Sequence, residues 1–88
     1  MTEKTVTIVN TLGIHARPAT LVAQTAQRFE SDIIVEKDGL EVNAKSVMGV
    51  MMLVAAKGSE ITIRADGPDE KEAVEALVKL VEDGFGEE

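Results

Sequence analysis

The chain has 88 residues, sixteen acids against nine bases, a formal net charge of −7, one histidine and no cysteine. That length fits one domain with one core and no deep cleft, so any site is expected at the surface. The absence of cysteine excludes disulfides, a thiol nucleophile and Cys-ligated metal, and an acid excess with two Phe and no Trp or Tyr disfavours nucleic acid and anionic membrane as partners. The opening MTEKTVTIVN lacks the continuous apolar run of a signal peptide, and no stretch approaches the roughly 20 apolar residues of a membrane span. The expected location is the cytoplasm, without membrane insertion.

In Lys4–Val9, Val6 and Ile8 alternate with Thr5 and Thr7, which predicts a strand, broken by Asn10-Thr11-Leu12-Gly13. Ala16–Phe29 predicts a helix whose buried stripe is Ala19, Val22, Ala23, Ala26 and Phe29, with Thr20, Gln24 and Gln27 on another face. Asp32–Lys37 predicts a second strand, Asp38-Gly39 a two-residue hairpin turn, and Leu40–Asn43 the returning strand. Ser46 to about Val54 predicts a short apolar helix that stops before Gly58. Glu60–Ala65 is a fourth strand, with Ile61 and Ile63 inward and Thr62 and Arg64 outward. After Gly67-Pro68, Asp69 is expected to cap a last helix with Glu72 as the reciprocal half of a capping box, and Val74, Leu77, Val78 and Val81 form its buried stripe.

The order β-α-β-β-α-β-α makes strand four antiparallel to strands one and two. Placing it between them gives a four-stranded antiparallel sheet in the order 1-4-2-3, covered on one face by three helices. The predicted fold is a two-layer, open-faced α+β sandwich, one domain over 1–88.

Charge is unevenly spread. Asn10–Phe29 holds Arg17 and Arg28 and no acid, and Ala44–Ser59 holds Lys45 and Lys57 and no acid. More than half of the acids lie between Asp66 and Glu88. If the two acid-free windows meet in the fold, they form a neutral-to-basic patch suited to an anion or an acidic partner. Chance clustering in core-facing helices would also produce such windows.

His15 lies in Gly13-Ile14-His15-Ala16-Arg17-Pro18-Ala19, where the loop turns into the first helix. It falls at or beside the N-cap, and Pro18 in the first turn lacks an N–H without breaking a helical bond. The backbone N–H groups of Ala16 and Arg17 are then free, and a helix start with free amides and the dipole's positive end receives anions. Arg17 adds a fixed charge with donors matched to phosphate. A neutral imidazole there can attack phosphorus, a reaction that asks a protein mainly for positioning and charge compensation. The same dipole is expected to favour the neutral, nucleophilic ring. A lone histidine at a helix start also serves as a cap or a solvated side chain; it is Gly13, Arg17 and Pro18 around it that favour chemistry.

GIHARPA resembles the active-site signature of the HPr family, the histidine-containing phosphocarriers of the phosphoenolpyruvate-dependent sugar phosphotransferase system. Lys45-Ser46-Val47-Met48-Gly49-Val50-Met51 resembles that family's regulatory serine motif in its Gram-positive type, and the spacing and element order match over the whole chain. The resemblance implies that enzyme I passes a phosphoryl group to Nδ1 of His15, that Arg17 stabilises it, and that IIA domains of sugar permeases receive it. A phosphoryl carrier of this kind is not an independent turnover enzyme, and no cofactor and no metal are expected. A regulatory paralogue lacks the histidine, and this chain keeps it.

Ser46 fits two roles: a plain N-cap, or a phosphorylation site at a helix start within the second acid-free window. The resemblance implies modification by HPr kinase/phosphorylase, slower transfer to His15, and a phosphoserine form that acts as corepressor with a catabolite control protein. Val47, Met48, Met51 and Met52 crowd one short helix and cannot all face the sheet. Val50 and Leu53 are expected to fill the core, while Val47, Met48 and Met51, with Thr20, Leu21 and Gln24 of the first helix, form a docking patch for several partners. One departure from the family pattern is that Leu53 is followed by Val54 where the family commonly has Gly, which leaves that helix's end open. Three other readings stay in play: a nitrogen-branch HPr paralogue, a small acylphosphatase-like enzyme, and a binding module in which His15 is incidental.

Overall fold

The alternating segments need partners for both their apolar face and their backbone, and the computed structural model, which describes residues 1–87, joins them in one sheet. Glu88, the last residue of the expected 1–88 domain, lies outside the described residues. The strands are β1 (Thr2–Thr7), β2 (Asp32–Lys37), β3 (Leu40–Asn43) and β4 (Glu60–Asp66), and the helices α1 (Ala16–Ala26), α2 (Val47–Met51) and α3 (Glu70–Glu82). The sheet order is β1-β4-β2-β3 with every pair antiparallel, as the sequence predicts. In register, Val6 lies opposite Ile61 and Val35 opposite Ile63, so the apolar halves of three strands form one surface. That surface and the stripes Val22, Val74, Leu77 and Val81 of the helices make the core. The other face of the sheet is polar: the Thr5 and Thr62 hydroxyls are 2.9 Å apart, and Arg64 bridges Glu3, Glu36 and Glu41. Asp38 and Gly39 take φ of 52° and 88°, the turn that matches strand twist.

Several boundaries and one cap differ from the sequence reading. β1 runs from Thr2 to Thr7 rather than from Lys4 to Val9, because its ladder with β4 spans the Thr2–Ala65 to Thr7–Glu60 pairs, and β4 extends past Ala65 to Asp66, which pairs with Asp32. α1 ends at Ala26 rather than Phe29: Arg28 and Phe29 donate to the carbonyls three residues back, a tightened last turn. α2 ends at Met51 rather than Val54, and Val54 itself takes φ 49°. The capping box at α3 does not form. The Asp69 carboxylate accepts instead from the N–H groups of Glu30 (2.9 Å) and Ser31 (3.0 Å) and from the Ser31 hydroxyl (2.5 Å), groups that the turn into β2 leaves open. After α3 the chain makes one further tight turn, Gly84–Gly86, that the sequence reading did not anticipate.

Candidate functional site

α1 starts where the loop after β1 is pressed against the chain leaving α2. Gly13 has φ +67°, and a Cβ there would strike the Ala55 carbonyl oxygen and stand 2.9 Å from Ala56 Cα. The Ile14 N–H donates to that same carbonyl at 2.8 Å. The two acid-free windows therefore do meet, and only glycine lets them come this close.

His15 is the N-cap of α1, extended at φ −111°, ψ −165°, and its side chain makes no capping bond. Its carbonyl takes the Ala19 N–H at 2.9 Å, while the N–H groups of Ala16 and Arg17 have no acceptor among the described residues. Pro18, buried in the first turn, has no N–H to leave open. The His15 ring is 38% exposed and Arg17 62%, so a second protein can reach both.

Glu87 is a site residue that sequence reasoning missed. Its Oε2 lies 2.8 Å from His15 Nε2 and 3.5 Å from an Arg17 guanidinium nitrogen, and its Oε1 accepts from Asn10 Nδ2 at 2.9 Å. Burial pushes this carboxyl up, but the hydrogen bonds from Asn10 and His15 and the charge of Arg17 outweigh it and hold it below its ordinary 4.5. With Thr11, Leu12, Arg17 and Gly86 it lines a shallow, open depression of about 460 Å³. The patch around His15 is thus not acid-free in space. The available signal was Phe85, one of two Phe in the chain, set between glycines at the end of a polar tail. Phe85 is 2% exposed at φ 58°, with Gly84 and Gly86 at 64° and 74°, and this left-handed turn anchors the tail beside His15. Among the described residues, no cluster of three or more His, Asp or Glu side chains is placed to hold a metal ion.

Ser46 is the N-cap of α2, and its Oγ accepts from the Gly49 N–H at 3.1 Å. Its segment is tied to the far end of α1: Gln27 Nε2 donates to the Lys45 carbonyl at 3.0 Å, and Lys45 Nζ to the Phe29 carbonyl at 2.9 Å. Val50 and Leu53 fill the core, as expected. Met48 (77% exposed) and Met51 face solvent, joined by Met52 and Val54. Leu21 and Val47 of the expected patch are half-buried and pack against the core. Thr20 donates its hydroxyl to the Ala16 carbonyl at 2.8 Å, and Gln24 is exposed.

An open-faced sandwich that presents one histidine at an uncapped helix start, with an arginine alongside, has the geometry of a small protein with an anion-receptive surface site. Comparisons with known proteins agree. Residues 2–83 match the family model described as the PTS HPr component phosphorylation site. The chain is 48% identical over the full length of both proteins to the phosphocarrier protein HPr of Treponema pallidum, and 51% identical, over 93% of this chain and 98% of the relative, to the HPr-like protein Crh of Halalkalibacterium halodurans. The crystal structure of HPr-C-His from Thermoanaerobacter tengcongensis superposes with a TM-score of 0.95 at 53% identity, covering 100% of this chain and 99% of that one. The chain belongs to the HPr family of phosphocarrier proteins of the phosphotransferase system. No helix of the described residues is long and apolar enough to cross a membrane.

Proposed function

We propose that this chain, as one domain in the cytoplasm, relays a phosphoryl group from phosphorylated enzyme I to IIA domains of sugar permeases through Nδ1 of His15. The observation that carries the reading is the start of α1: an exposed imidazole, two amides without acceptors and the Arg17 guanidinium converge at one helix end. Free amides and dipole favour the negative charge arriving on the ring, and Arg17 can grip phosphoryl oxygens. The protein supplies the acceptor atom and its electrostatics, while the donor protein supplies the activated phosphoryl group.

Ser46 supplies the regulatory half of the proposal. A phosphate on its Oγ would lie at the start of α2 and bring roughly −1.5 to −2 charge into the acid-poor surface, opposing an acidic partner. An HPr kinase/phosphorylase would install it, and a catabolite control protein would read it. Met48 and Met51, with Gln24 and the exposed edges of Thr20, Leu21 and Val47, would form the docking surface. Incubation with labelled phosphoenolpyruvate and enzyme I should give an acid-labile, base-stable label that His15→Ala abolishes. No label with a competent enzyme I overturns the reading. Label only with the enzyme I of a nitrogen-regulatory branch would reassign the pathway and keep the carrier.

A further inference from the structure

The tail that ends α3 brings a carboxylate back to the reacting ring, and the means of its delivery are specific. Phe85 plugs the core and fixes the turn, so Glu87 leaves it at a set place. There the amide of Asn10, itself 1% exposed, uses both of its N–H donors: one on the Gly13 carbonyl at 2.8 Å, the other on Glu87 Oε1 at 2.9 Å. Both partners are pure acceptors, so Nδ2 must face them, and Asn10 ties the loop that carries His15 to the tail carboxylate. The second carboxylate oxygen is then left for His15.

We propose that Glu87, aimed by Asn10, is a positioning residue for phosphoryl transfer: it holds His15 in the Nε2–H tautomer and commits the Nδ1 lone pair to phosphorus. This rests on the carrier reading above and deepens it. An ionised carboxylate can only accept, so the 2.8 Å contact requires the hydrogen on Nε2. In the forward step the Nδ1 lone pair forms the N–P bond while the bond from phosphorus to the donor breaks, its electron pair leaving with the donor. Nε2 keeps its hydrogen, so the ring gains positive charge as the bond forms. Glu87 faces that charge directly, as a carboxylate does behind a general-base histidine. Onward transfer reverses each of these changes. Arg17, at 3.5 Å from the same carboxylate oxygen, is held beside the ring by a longer contact that it can exchange for phosphoryl oxygens.

The test compares wild type with Glu87→Ala and Glu87→Gln, changes at the tail end that spare Phe85. Imidazole ¹⁵N spectra of His15 at alkaline pH read the tautomer, and the saturating rate of transfer from phosphorylated enzyme I reads the chemistry. Wild type should show the proton on Nε2 alone. Glu87→Ala should move the ratio to that of an unconstrained imidazole and lower the saturating rate about tenfold at unchanged half-saturation. Glu87→Gln, which keeps an acceptor without the charge, should fall between the two. Unchanged tautomer or unchanged rate in Glu87→Ala overturns the proposal. Failure of wild type to accept phosphoryl at all overturns the carrier reading instead, and the tautomer spectra still decide whether Glu87 holds the ring.

Discussion

The starts of α1 and α3 share one feature, a first turn whose N-cap side chain makes no capping bond, and differ in the charge placed around it. At α3 the first turn carries Glu70 and Glu72, and Glu70 is fully engaged: Oε1 takes the Gly67 N–H at 3.2 Å, and Oε2 takes the Thr2 hydroxyl at 2.6 Å and the N-terminal ammonium at 3.0 Å. At α1 the first turn holds no acid, the N-cap side chain makes no capping bond, and two amides have no acceptor among the described residues. The dipole is the same at both ends. One start carries acids that answer the dipole and clasp the N-terminus; the other carries none, which is the arrangement the proposed anion site requires. Among the described residues, the carboxylate that reaches His15 comes from Glu87, 72 positions away, and its contact is with the ring.

The sharpest way to break this contrast is to exchange its consequences. Arg17→Ala should lower phosphoryl transfer about a hundredfold, the scale of one lost charge-stabilising group, and leave the melting temperature nearly unchanged, since the side chain is exposed. Asp69→Ala should do the reverse, lowering thermal stability because Glu30 and Ser31 lose the acceptor of three hydrogen bonds, with transfer intact. Equal effects of the two variants on transfer would dissolve the distinction. Gly13→Ala should damage both properties. It forces φ +67° on a residue with a Cβ that collides with Ala55, costing about 2 kcal/mol by chemical denaturation.

Much of this was readable beforehand, for reasons that lie in particular residues. The Asp38-Gly39 turn fixed the β2–β3 register, and strict alternation in Glu60–Ala65 announced the central strand. His15 and Arg17 were legible because their setting is local: a glycine, a helix start and a proline within a few positions. Illegible features depend on distant partners. Asp69 has the side chain of a cap, and only the folded chain shows that the Glu30–Ser31 turn claims it. Glu87 looks like one more tail acid until Phe85 is seen in the core. The end of α2 was obscured because Val54 has neither the glycine nor the asparagine that usually marks a left-handed residue.

Two smaller changes sharpen the picture at α2, the third helix start. Ser46→Ala removes the oxygen that caps Gly49 and should cost about 1 kcal/mol while abolishing any acid-stable label from an HPr kinase. Loss of label without loss of stability would mean that the cap contributes nothing. Val54→Gly should act in the other direction. A β-branched residue that is 78% exposed at φ 49° carries strain without compensating burial. Relieving it should raise stability by about 1 kcal/mol, net of the extra freedom glycine gives the unfolded chain. No gain would show that Val54 finds another conformation in solution.

The smallest expected effect returns to the acidic first turn of α3 and follows pH. The Thr2 hydroxyl, then the N-terminal ammonium and the Gly67 N–H, pull the Glu70 carboxyl from 4.5 down to about 2. A depressed carboxyl contributes stability that is whole above its unfolded value and lost as pH falls, here between about 4.5 and 2. The ammonium of Met1 is raised above its ordinary 8.0, chiefly by its hydrogen bond to Glu70. Its contribution is whole below 8.0 and lost as pH rises through the shifted value. The same clasp therefore shapes both limbs of the stability curve. Acetylating the N-terminus should flatten the alkaline limb and trim the acid limb only in part, because Thr2 and Gly67 still bind Glu70. Denaturation midpoints across pH, with and without the acetyl group, measure both limbs. An alkaline limb that survives acetylation would place its origin elsewhere and leave the α3 start held by Thr2 and Gly67 alone.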